Sequence, residues 1–234
     1  MQIVNLTAQD VLDGIQAPKI NGKYWGDYYR KFADFDKDNV LGLYYKQLDY
    51  KKNDIQSLDR RILDNKECCD FEYTWEYYSM GHLFSLVNRL EETYEEISDT
   101  TALKSPIITG IALYKNFPVG TLFPRELLDY KSLYELTEAS EEGISDSEKV
   151  LILIKAKSLL EHLIDHNVYF PRVTSSNIIV NPNDHSDVRF DGVDNPGFAR
   201  VESEYYVKKL VQKGLDLRKN TIESFDKDHK ISRS

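Results

Sequence analysis

The stretch Leu159-Leu-Glu-His-Leu-Ile-Asp-His-Asn-Val-Tyr-Phe-Pro-Arg-Val-Thr-Ser-Ser-Asn-Ile-Ile-Val-Asn-Pro182, continued by Val188-Arg-Phe-Asp-Gly-Val-Asp-Asn195, decides the fold. Leu159, Leu160, Leu163 and Ile164 repeat at helical steps, and the pattern stops near His166-Asn167. A polar loop follows. Ile178-Ile-Val180 and Val188-Arg-Phe190 are then short apolar runs separated by Asn181-Pro-Asn-Asp184, residues that favour turns, so a β-hairpin is expected. Helix, loop and hairpin succeed one another with no long linker.

Upstream, Ser145-Asp-Ser-Glu148 matches a capping box, with Ser145 as N-cap and Glu148 reaching back to it. The helix it opens carries Leu151 and Ile154 before Leu159. Ser132 to Thr137 reads as a short helix. Pro106 opens a β-rich stretch, in which Ile107 to Leu113 and Val119 to Phe123 form strands joined around Asn116-Phe117-Pro118. The chain from Ile55 to Glu96 is helical in pattern, with Leu83, Leu86, Val87 and Leu90 on one face. Before it, Tyr28 to Phe32 and Val40 to Tyr45 are β-favouring around the polar turn Asp34 to Asn39. A helix from Glu202 to Leu217 and a polar tail follow the hairpin. This order predicts an α+β fold in two lobes.

Composition narrows the function. An apolar share of 41%, with 16 Tyr and 10 Phe, is enough to bury a core. The formal net charge of -9 repels phosphate backbones and anionic lipid, which argues against nucleic-acid and membrane partners. Arg60-Arg61 and Lys208-Lys209 are too short to reverse this. Cys68 and Cys69 are adjacent, poorly placed for a disulfide and too few for a zinc site, so they read as reduced thiols. His162, His166 and His185 lack metal-ligand spacing. No secretory apolar core follows Met1, and the most apolar window, Val150 to Ile164, is too short and charged to span a bilayer. A cytoplasmic location is expected.

The segment around Asn177 resembles the catalytic-loop region of the protein-kinase-like superfamily. There a helix ends, a His-Arg-Asp-type loop follows, and Asn-Ile-Leu/Val opens a hairpin leading into Asp-Phe-Gly. Earlier pieces fall in the same order. Gly22-Lys-Tyr-Trp-Gly26 is similar to a degenerate glycine-rich loop, and Lys46 falls on the strand that would carry the nucleotide-pairing lysine. Its helix partner would be Glu67, Glu72 or Glu76, and Tyr114 to Phe123 would connect the lobes. The resemblance implies a two-lobed kinase-like fold with a minimal C-lobe. Residues 1–118 would be the N-lobe, 119–220 the reduced C-lobe and 221–234 a polar tail.

The departures from the family decide the expected function. Counting back from Asn177, the catalytic aspartate position holds Arg172, a permanent cation that accepts no proton. Counting forward, the metal aspartate position holds Gly192, and only a one-residue shift would bring in Asp191. The short chain after Asp194 offers no Ala-Pro-Glu-like end to an activation segment. The expectation is a catalytically inactive, pseudokinase-like binding or regulatory module with a protein partner. No catalytic residue and no metal site are assigned, and no cofactor is required. Gly22, Gly26, Lys46 and Asn177 would line any nucleotide site that persists, for ATP with or without magnesium. The alternative is an unorthodox small-substrate phosphotransferase using ATP, magnesium, Lys46, Asn177 and Asp191 or Asp194.

Overall fold

The computed structural model describes residues 2–11, 20–25, 28–43, 80–98, 108–138, 143–170, 172–191, 200–214 and 216–230. They form a mixed α+β protein. The chain divides into two compact units. One comprises Met1–Tyr24, Tyr28–Met80 and Ile107–Leu128, and the other Trp25–Asp27, Gly81–Pro106 and Asp129–Ser234. The change of unit falls at Leu128/Asp129, whereas the expected boundary at 118/119 lies inside a strand.

The first unit is built on a six-stranded sheet of β1 (Gln2–Asn5), β2 (Ile20–Trp25), β3 (Tyr28–Asp34), β4 (Asn39–Leu43), β5 (Gly110–Tyr114) and β6 (Phe117–Pro124). Its order is β1-β5-β6-β4-β3-β2. The β3–β4 hairpin turns where the sequence predicts. Asp36 accepts from the backbone of Asp38 and Asn39 at 2.8 and 2.6 Å, a side chain standing in for backbone in the turn. Arg125 ties that turn down, donating to Asp34 at 2.7 Å and to the Asp36 carbonyl at 2.6 Å.

Tyr114 to Phe123 is not a connection between lobes. It is the β5–β6 hairpin, turned by Lys115 and Asn116 at φ 51° and 64°. Two consecutive left-handed residues give the tight twist that suits a two-residue loop. Phe117 and Pro118 therefore belong to β6. The strand β1 adds to β5 in parallel, pairing Gln2 with Gly110 and Asn5 with Leu113. Val40, Leu41, Ile111, Ala112, Leu122 and Phe123 are all buried within this unit.

A 3-10 turn, Arg125–Asp129, ends the first unit, and the second contains α1 (Met80–Ser98), β7 (Lys131–Ser132) and α2 (Leu133–Glu138). These are followed by α3 (Asp146–Asp165), β8 (Val168–Tyr169), β9 (Ile178–Asn181) and β10 (Asp184–Phe190). Then come β11 (Arg200–Val201), α4 (Glu204–Gln212) and α5 (Leu217–Asp228). The sheet β10-β9-β7 and the pair β11-β8 complete it.

The capping box forms at the start of α3. Ser145 Oγ accepts from the Glu148 N–H at 3.3 Å while Glu148 accepts from the Ser145 N–H at 2.9 Å. The Ser145 hydroxyl, which donates to the Glu148 carboxylate at 2.7 Å, and the Ser145 N–H hold that carboxyl below its usual range. At the far end Asn167 turns out of the helix at φ 62°. The buried face of α3 is Ile152, Leu153, Ala156, Leu159, Leu160, Leu163 and Ile164. Leu151 and Ile154, read from the sequence as part of the apolar pattern, are instead 61% and 57% exposed beside Val150 at 54%. The run from Val150 to Ile154 is thus apolar on both the buried and the exposed face.

Residues 221–234 are not a polar tail as far as they are described: α5 runs through them to Asp228. Asp216 caps it, accepting from the Lys219 N–H at 2.9 Å, and Phe225 is buried. The helix expected from Glu202 to Leu217 is shorter, ending at Gln212, and the chain turns through Gly214 at φ 72° into α5. No described helix is long and apolar enough to cross a membrane.

Candidate functional site

The loop between β8 and β9 carries Arg172 and Asn177, and the hairpin after it brings Asp191 across from Asn177. Asn177 sits at the mouth of the hairpin and is almost fully buried. Its N–H donates to the Thr174 carbonyl at 2.9 Å. Its side-chain oxygen accepts from the Thr174 N–H at 3.2 Å and the Thr174 hydroxyl at 2.7 Å. The amide oxygen that would face a metal therefore already holds the loop closed. Nearby, the Tyr134 N–H donates to the Ser175 carbonyl at 3.1 Å, fastening the loop to α2.

Across the hairpin, Ile178 pairs with Phe190, Ile179 with Arg189 and Val180 with Val188. One step further, the Asp191 N–H donates to the Asn177 carbonyl at 2.9 Å. The residue opposite Asn177 is therefore Asp191. The ladder shifts register between Asp184 and Val188. Asp191 is buried, and Gly192 and Asp194 lie outside the described residues. Phe170 packs on Phe190 at 5.4 Å between ring centres, closing the apolar side of the loop.

Arg172 is exposed, and its Nε donates to Asp228 of α5 at 2.9 Å. The next residue, Val173, is buried, and its carbonyl lies 3.0 Å from His229 Nε2. Burial is the largest cause holding the His229 imidazole below its ordinary pKa, and Lys149 adds to it. The Val173 carbonyl and Asp228 pull the other way. Neither α5 residue was expected to matter, because the sequence offers only a polar segment there.

A second cluster also went unpredicted. Asp187 and Arg189 alternate on β10, and Arg189 is 1% exposed, the largest fully buried side chain described. Its Nε donates to Asp187 at 3.1 Å, the Tyr130 hydroxyl donates to the other Asp187 oxygen, and the guanidinium lies 5.2 Å over the Tyr130 ring. A buried cation needs such a carboxylate and ring face to offset its lost hydration. The sequence signal is a charge pair at a two-residue step inside an apolar strand.

Gly22 lies within β2, and the link to β3 that holds Gly26 is outside the described residues. Lys46, Glu67, Glu72 and Glu76 are outside them too. The three histidines do not converge: His166 pairs with Glu96 at 3.2 Å and His185 with Glu148 at 3.3 Å. Among the described residues no three His, Cys, Asp or Glu side chains are grouped to hold a metal ion. No protein-family profile matches the sequence. No curated protein matches it at a significant level.

Proposed function

We propose that the chain is a catalytically inactive, kinase-like domain that works as a binding or regulatory module. The observation that carries this reading is Arg172. It stands where the kinase-like pattern needs a carboxylate to orient the attacking hydroxyl, and its charge is engaged by Asp228 at 2.9 Å. A guanidinium cannot accept the proton, so the step that positions the nucleophile has no base.

The strand succession supports the same reading. The Gly22 strand β2, then β3, then β4 heading towards Lys46 lie as consecutive neighbours in one sheet, which is the order the resemblance requires. Exposed apolar side chains suit a module that binds a protein. Val150, Leu151 and Ile154 share one face of α3, while Tyr205, Tyr206 and Val211 project from α4, which buries none of its residues.

The second reading, an ATP-dependent phosphotransferase, draws on the hairpin register. Asp191 opposite Asn177 is the pair that would complete a magnesium shell, and it favours Asp191 over Asp194 as the ligand. A thermal-shift titration with ATP, with and without magnesium, separates the two. Ligand binding to the folded state alone raises stability by about 2.7 kcal/mol at a hundredfold excess over Kd. The inactive-module reading expects no magnesium-dependent shift and no ATP turnover. A magnesium-dependent shift lost in Lys46→Ala and Asp191→Asn, together with turnover, would overturn it.

A further inference from the structure

Helix α4 buries none of its nine residues. A helix so short draws little stability from its own hydrogen bonds and is normally held by packing one apolar face. Here that anchorage is thin. Ser203 caps the first turn, accepting from the Tyr206 N–H at 3.3 Å, and Val207 and Leu210 are half-buried. The rest of the circumference faces water. In angular order around the helix, its exposed side chains include Val211, Lys208, Tyr205, Lys209, Lys213 and Tyr206. We propose that this face of α4 is the docking site for an acidic, partly apolar segment of another protein.

Charge selects the partner. Lys208, Lys209 and Lys213 stand within two turns against one carboxylate, Glu204. Among the described residues none of the three lysines is in an ion pair, and Lys209 lies instead over the Tyr205 ring at 4.6 Å. The bias continues along the chain. Residues 200–234 hold nine Lys and Arg against six Asp and Glu, a net of +3, which leaves -12 of the total -9 on residues 1–199. An extended polyanion, such as a nucleic acid or a lipid surface, meets that surplus of carboxylates as well as the lysines and is repelled. A short acidic segment meets α4 alone, because charges further off than about 10 Å are screened at ordinary salt. Its carboxylates supply the ion pairs the lysines lack. Its apolar side chains cover Tyr205, Tyr206 and Val211, and exposed tyrosines beside cations are the residues that anchor protein interfaces. The inference rests on the binding-module reading for the existence of a partner, and on nothing in its kinase-like half.

Fluorescence anisotropy on the full chain tests it. The probe is a labelled peptide of glutamate and leucine at helical spacing, set against an all-glutamate peptide of equal charge, at low and at physiological salt. The mixed peptide should bind, more weakly as salt rises, and the all-glutamate peptide several-fold more weakly than it. Lys208→Glu/Lys213→Glu should weaken binding by about tenfold or more, since each reversal turns an attraction into a repulsion. Lys208→Gln/Lys213→Gln adds no charge to the helix, guards against misfolding of the reversal, and should lose about threefold. Tyr205→Ala should lose several-fold while keeping the salt dependence. The same reversal at Lys155 and Lys227, exposed on α3 and α5, should leave the affinity within about twofold.

No binding, equal binding of the two peptides, or an equal loss from Lys155→Glu/Lys227→Glu overturns the proposal. So does α4-dependent binding to phosphatidylserine vesicles in place of the peptide, which gives the face to a lipid surface. A chain that self-associates in sedimentation and comes apart in Lys208→Glu/Lys213→Glu gives it to a second copy and also overturns it. ATP turnover by the wild type removes the binding-module reading but leaves these titrations unchanged, so the two failures are told apart.

Discussion

Lys157 and Asp226 meet across the α3–α5 seam with the ammonium 2.7 and 2.9 Å from the two carboxylate oxygens. The side chains are 29% and 11% exposed, so the pair is largely withdrawn from water. Breaking it from one side leaves a half-buried charge, which costs more than the pair is worth. Asp226→Ala should therefore destabilise by about 1–3 kcal/mol, and Lys157→Met by a similar amount, because the methionine keeps the apolar stem packed but strands the more deeply buried carboxylate. Urea unfolding of both single variants and the double variant measures this. A double variant less stable than the wild type by the full sum of the two single effects would show that the two do not interact.

Gly120 is fixed by its neighbour strand. A Cβ there would lie 2.4 Å from the Gly42 carbonyl, backbone that cannot step aside without parting β4 from β6. Gly120→Ala should cost about 2–3 kcal/mol, as overpacking in a closed core does. Gly214→Ala meets nothing within 4 Å and is limited to the strain of φ +72°, about 1 kcal/mol. Denaturant midpoints of the two variants should differ in that order.

Asp187 holds both the Arg189 guanidinium and the Tyr130 hydroxyl. Asp187→Ala removes the carboxylate from a buried cation and should cost about 3 kcal/mol or more. Tyr130→Phe keeps the ring beneath the guanidinium and loses one hydrogen bond, about 1–2 kcal/mol. Thermal melts that rank the two the other way round would locate the stabilisation in the phenol rather than the ion pair.

His229 also sets a pH dependence of global stability. Its folded pKa is lowered, so below the ordinary imidazole value of about 6.5 the unfolded chain takes up a proton that the native chain resists. Its contribution is complete above that pH and is lost progressively as pH falls through 6.5 to the folded value. Tm of the wild type should fall relative to His229→Gln between pH 7.5 and 5.5. A constant gap across that range would rule the histidine out as the source.

The parts of the fold legible in the sequence are those whose cause is local. Ser145 and Glu148 meet within one turn, and the Asp34 to Asn39 and Asn181 to Asp184 turns are made by their own side chains. What escaped is held from a distance. Helix α5 has few apolar residues, and it is fixed by Asp165, Lys157 and Val173 on other elements. The orientation of α3 was misread at Leu151 and Ile154 because Val150 to Ile154 is an unbroken apolar run, so periodicity cannot choose the buried side there. At the site, the turn run Asn181 to Asp184 announced the hairpin, but which residue lies across from Asn177 is set by an irregular ladder that a count along the chain cannot detect.

The parallel seating of β1 on β5 has a kinetic meaning. Gln2 cannot find Gly110 until the intervening chain has been made and β5 laid down beside β6. Parallel pairing across so large a separation adds loop-closure entropy to the folding barrier, so β1 joins late. Until then β5 is a bare sheet margin, able to recruit any extended segment that passes, including one from another nascent chain. Docking of β1 is thus the step that withdraws this margin from competition.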